Sequence, residues 1–157
     1  MSLHDHALYQ IATKALIFDE DKILILITPD GYIDFPGGRV DQSERDIPWV
    51  NALKREIKEG LGNSFVVEIG QTLFVSKRRY DKNNLTHHIA AIFYECRYQD
   101  GAIQLSDEHG SYEWSTLRDL VNDDRRFVSE DEKQHLNNLL VKKLDKGSAV
   151  HPIALAK

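Results

Sequence analysis

From Tyr9 to Phe18 the chain alternates, with Ile11, Thr13, Ala15 and Ile17 on one face and Ala12, Lys14, Leu16 and Phe18 on the other. That is the period of a strand. Asp19-Glu20-Asp21-Lys22 turns it into Ile23-Leu24-Ile25-Leu26-Ile27, so the two runs predict a hairpin. Consecutive aliphatics mean that the second strand is covered on both faces, which puts helices or loops over the sheet. Thr28 to Gly31 reads as a turn, and Tyr32 to Phe35 as a short extended piece halted by Pro36-Gly37-Gly38. The period then changes. Val50, Leu53, Ile57 and Leu61 form one apolar stripe at helical spacing.

Phe65 to Ser76 and His87 to Tyr98 are strand candidates, with Lys77 to Asn84 between them as a basic loop. Asp100-Gly101 reads as a turn and Tyr112-Glu113-Trp114 as a short strand. Thr116 with Asp119, and Ser129 with Glu132, have the spacing of helix capping boxes. They predict a short helix near Leu117 to Val121 and a longer one carrying Leu136, Leu139, Leu140 and Leu144. The expected organisation is one domain over residues 1–147 and a tail over 148–157. The order of strands and helices predicts an α/β protein with a mixed sheet between helical layers.

Composition removes several function classes. The longest apolar run, Ile89 to Tyr94, is far short of the roughly 20 residues that span a bilayer. The N-terminus has no signal-peptide pattern. A single cysteine, Cys96, excludes an intramolecular disulfide and any multi-cysteine metal site. The expectation is a soluble, cytoplasmic protein. A net charge of −5 argues against a general nucleic-acid coat, though not against a small phosphorylated substrate, because a bound divalent cation reverses the local sign of an acidic site.

The chemistry is concentrated in Gly37 to Glu44 and in Arg55-Glu56-Ile57-Lys58-Glu59-Gly60-Leu61-Gly62. Glu56 and Glu59 are three residues apart on a helix, on a face turned away from the apolar stripe. Two carboxylates this close repel unless a cation or proton lies between them, and magnesium is a hard ion that takes oxygen ligands. Taken alone, the pair is also what an ordinary solvated helix face looks like.

The two halves together resemble the Nudix hydrolase family. Its box is glycine, five residues, glutamate, seven residues, then Arg-Glu-aliphatic-x-Glu-Glu-x-Gly-aliphatic. Gly38, Glu44, Arg55, Glu56, Ile57, Glu59 and Gly62 match it, and Phe35-Pro36-Gly37-Gly38 is similar to the lead-in common before it. Three positions depart. Ten residues instead of seven separate Glu44 from Arg55, Gly60 stands where the family has a second adjacent glutamate, and Asn63 replaces the last aliphatic. The extra residues are expected in a loop ahead of the helix, with Asp46 as its cap and Pro48 in its first turn.

The resemblance implies a Nudix fold, an α/β/α sandwich. It also implies magnesium or manganese held by Glu56, Glu59 and the Gly38 carbonyl, with Arg55, paired to Glu44, pinning the carboxylates. A further acid is expected from a late loop, where Asp107, Glu108 and Glu113 are the choices and Glu108 is taken; its plain alternative is a solvated loop acid. The implied catalytic set is thus Glu56, Arg55, Glu44 and Glu108. The implied function is hydrolysis of a nucleoside diphosphate linked to another moiety, by water attack on phosphorus. Because of Gly60, the alternative is a weak or inactive module that binds a nucleotide-like metabolite. The substrate is small and phosphorylated, no membrane is involved, and the oligomeric state stays open, a homodimer included.

Overall fold

A computed structural model describes the backbone of residues 5–156 and the side chains of residues 5–146. β1 (Gln10–Asp19) and β2 (Lys22–Ile27) form the expected antiparallel hairpin, with Phe18 opposite Ile23. β3 (Ile33–Asp34) pairs with β2, and β4 (Gly37–Arg39) pairs with β1 through Thr13 and Gly38. A 3-10 turn over Gln42–Glu44 leads to α1 (Trp49–Leu61). β5 (Val66–Lys82) and β6 (Leu85–Asp100) are long antiparallel partners, and β6 runs parallel to β1. β7 (Ser111–Thr116) pairs with β2, followed by α2 (Leu117–Val121) and α3 (Glu130–Ala156). One parallel pairing among antiparallel ones makes the sheet mixed, in the main order β3-β2-β1-β6-β5. The tail expected from 148 onward falls on residues whose side chains lie outside the described set.

Strand alternation sorts the core into two layers. Ala15 and Ile17 of β1, with Leu24 and Leu26 of β2, pack under Leu53, Ile57 and Leu61 of α1. Their neighbours Leu16, Phe18, Ile23 and Ile25 face the other way, toward Leu117 and Leu120 of α2 and Leu136 of α3. β2 is therefore covered on both faces, as its unbroken aliphatic run requires. Val50 is only half-buried, and Ala52 joins the interior instead. Leu144 is exposed rather than core.

Three local expectations are corrected. Lys77 to Asn84 is not a loop. β5 runs on through it to Lys82, and a two-residue turn at Asn83-Asn84, whose φ values of 54° and 61° suit the twist of a tight hairpin, leads into β6 at Leu85. Asp46 does not cap α1: its side chain is exposed, and Pro48, which has no N–H to satisfy, takes the cap position. Ser129 and Glu132 do not form a capping box. The Ser129 hydroxyl donates to the Lys77 carbonyl, and the Glu132 carboxylate accepts from Ser76 and Arg78, so both fasten α3 to β5. At Thr116 the cap itself forms, its hydroxyl accepting from the Asp119 N–H.

Candidate active site

The arginine at the start of the Arg-Glu-x-x-Glu run is the hub of the site. Arg55 Nε and Nη2 donate to the two oxygens of Glu44, each at 2.8 Å. Its Nη1 donates to Glu56 Oε1 at 3.0 Å and to Glu59 Oε2 at 3.1 Å. Glu44 also accepts the Asp41 N–H, so the box half that precedes the longer loop is locked to α1. The Arg55 hydrogen bonds, and then the Asp41 N–H, bring the Glu44 carboxyl down to about 2. Glu44 is consequently a fixed anion that holds Arg55, with no free oxygen facing the cavity described next.

Glu56 is in the opposite condition. Burial pushes its carboxyl upward, and the Glu59 charge adds to that, against the pull of Arg55. Its carboxylate lies against the Cα of Gly38. A β-carbon on Gly38 would come within 2.6 Å of Glu56 Oε2, so a side chain there would fill the carboxylate's cradle. Gly37 is bound as tightly by its surroundings: at φ 134° an added β-carbon would collide with the Thr13 carbonyl and stand 2.8 Å from Lys14 Cα. The Lys14 ammonium reaches the carbonyls of Phe35 and Gly37 and one oxygen of Asp34, pinning the glycine turn from beneath.

Beside Glu56 and Glu59 is a cavity of about 90 Å³, closed by the loop that follows β6. That loop is stitched to the end of α1, since the N–H groups of Gln104 and Ser106 donate to the carbonyls of Leu61 and Gly60. The stitching brings Ser106, Glu108 and His109 to the cavity wall. Ser106 Oγ is buried there without a hydrogen-bond partner among the described residues. Burial pulls the His109 imidazole below its ordinary value, only partly opposed by Asp34. A second cavity of about 200 Å³ is walled by Arg39, Arg79 and Tyr80 together with the apolar Ala12, Ile89 and Val128.

The sequence matches the NUDIX domain profile over residues 8–136, most of the chain. The chain belongs to the Nudix family. No curated protein sequence matches it. Among solved structures, a MutT protein from Methanosarcina mazei Go1 superposes with a TM-score of 0.68 at 22% identity, over 86% of this chain and 95% of that one. A MutT NUDIX hydrolase from Burkholderia pseudomallei gives 0.64 at 25% identity, over 83% and 98%. An ADP-ribose pyrophosphatase from Streptococcus suis 89-1591 gives 0.59 at 23%, over 82% and 89%.

With the Nudix fold established, the expected site residues can be located. Arg55 joins Glu44, Glu56 and Glu59, Gly38 backs Glu56, and Glu108 reaches the same cavity. Glu113 does not; Arg125 holds it bidentately at 2.7 and 2.9 Å. Arg78, in the stretch expected as a basic loop, is instead buried between Asp34 and Glu132. The sequence reading missed His109 and Lys14. His109 sits next to Glu108 in a segment ending at Gly110, the one signal that pointed to it.

Nudix enzymes typically use a divalent cation. Among the described residues, no three His, Cys, Asp or Glu side chains converge tightly enough to form a ready-made site. Arg55 supplies the positive charge between Glu56 and Glu59. The residues nonetheless fit a hard cation. Glu56 is half-buried with a carboxyl that burial destabilises as an anion, the Gly38 cradle leaves it room, and Glu59, 60% exposed, can swing inward. The orphan Ser106 hydroxyl adds a further oxygen. No helix among the described residues is long and apolar enough to cross a membrane.

Proposed function

We propose that this Nudix protein hydrolyses the pyrophosphate link of a nucleoside diphosphate joined to another group. The observation that carries the reading is the Arg55-centred cluster of Glu44, Glu56 and Glu59 at the mouth of a cavity that also holds Glu108. Glu56 and Glu59, with the Gly38 carbonyl, would hold magnesium or manganese. Such an ion offsets charge on the pyrophosphate oxygens and polarises phosphorus. Arg55 fixes the carboxylates and Glu44 fixes Arg55, so both are positioning groups. Glu108 accepts a proton as water attacks phosphorus; the new O–P bond forms as the bridging P–O bond breaks, and the products are a nucleoside monophosphate and the phosphate ester of the other group.

The second cavity supports a nucleotide-type ligand. Arg39 and Arg79 present positive charge, and Tyr80 offers a face for a ring. The ADP-ribose pyrophosphatase among the fold neighbours fits the same class of linkage. Gly60, where the family has a second adjacent glutamate, favours a second reading, a module that binds such a molecule with little turnover.

The test is a release assay for phosphate and nucleoside monophosphate. Nucleoside diphosphate sugars, dinucleotide polyphosphates and nucleoside triphosphates are each run with Mg2+ and with Mn2+. Cation-dependent release of a monophosphate supports the hydrolase. Binding of these ligands without release under either cation supports the module instead.

A further inference from the structure

At residue 60 the Nudix box normally carries a carboxylate one helical turn beyond Glu56. Here it carries glycine, and the space is not left open. A β-carbon built on Gly60 would stand 3.4 Å from His109 Nε2, with the imidazole the only group it would touch. The imidazole therefore lies over the position from which the absent side chain would have projected. It is held there by backbone: the Ser106 N–H bonds the Gly60 carbonyl at 3.0 Å, the His109 N–H bonds the Ser106 carbonyl at 3.2 Å, and the Gly110 N–H bonds the Ile27 carbonyl at 2.9 Å. The same cavity is walled by Glu56, Glu59 and His109, and the unpartnered Ser106 hydroxyl is buried in that wall. About 90 Å³ is room for an ion with some of its water, since one water needs roughly 10–15 Å³ of such space.

We propose that the His109 imidazole replaces the carboxylate missing at residue 60, completing with Glu56 and Glu59 a cation site of mixed nitrogen and oxygen donors that takes Mn2+ in preference to Mg2+. The inference rests on the cation site argued under the proposed function, and it deepens that reading. Two physical consequences follow from exchanging a carboxylate for an imidazole. The site loses one negative charge, which weakens it most for Mg2+, an ion that favours oxygen donors and holds its own water strongly. It gains a nitrogen donor, which suits transition ions that accept imidazole. Gly60 is then no simple defect, because a side chain there would share its space with the His109 imidazole.

The experiment is electron spin-echo envelope modulation on the Mn2+-loaded full chain, beside Mn2+ and Mg2+ titrations. Wild type should show 14N modulation from a directly bound imidazole. In His109→Ala that modulation should vanish and Mn2+ affinity fall about tenfold or more, with Mg2+ affinity changed less than about threefold. Combining His109→Ala with Gly60→Glu should restore binding and move the preference toward Mg2+. Wild-type Mn2+ binding that Glu56→Gln abolishes, but without 14N modulation, overturns the role of His109 and leaves the proposed function standing. A wild type that binds no Mn2+ overturns both.

Discussion

Gly38 and Glu56 occupy one another's space: the carboxylate of Glu56 lies where a β-carbon of residue 38 would be. The glycine of the box is thus required by the glutamate on α1, not only by the turn it ends. Gly38→Ala should push Glu56 out of its cradle. Cation affinity and turnover should both fall about tenfold or more, while the fold, read by circular dichroism, persists.

The pair of Arg55 and Glu44 makes a prediction about acid. The Glu44 carboxyl has an ordinary value of 4.5 and is held at about 2 in the folded protein. A depressed carboxyl contributes stability that is fully present above 4.5 and is lost as pH falls toward 2. Urea unfolding between those limits should therefore show wild-type stability dropping with pH. Glu44→Gln should flatten that part of the profile; an unchanged slope would mean that other acids govern it.

Arg78 and Glu132 bind α3 to β5 through contacts of 2.6 and 2.7 Å, with the Glu132 side chain wholly buried. Arg78→Met leaves that buried carboxylate without its charged partner and should cost about 3–5 kcal/mol. Chemical denaturation measures it. A loss no larger than that of an exposed surface change would mean the buried pair adds nothing.

Leu53, fully buried beneath α1 against β1 and β2, tests the packing that holds the site helix. Leu53→Ala should cost about 2–5 kcal/mol in the same experiment. A loss below about 0.5 kcal/mol would mean that α1 is not seated as described.

These residues also mark what the sequence could and could not disclose. Strand β2 and helix α1 were legible because burial imposes a period, and Thr116 because its cap needs only local spacing. Arg55, Glu56 and Glu59 were legible because their spacing is fixed by one helix. Arg78 was not: lysines and arginines read as a loop until the partner acids Asp34 and Glu132, far along the chain, are brought to them. The same distance hid the fate of Ser129 and Glu132, whose local pattern matched a cap but whose side chains bond β5. His109 was hidden for the converse reason, since its neighbour Gly60 is recognised only when the loop after β6 folds back on α1.

Glu56 and Glu59 are proposed to form a cation site serving a hydrolase. The site is tested most directly by calorimetric titration of Mn2+ into wild type, Glu56→Gln and Glu59→Gln. The account predicts binding by wild type that each substitution weakens about tenfold or more. Equal affinity in all three proteins would contradict it.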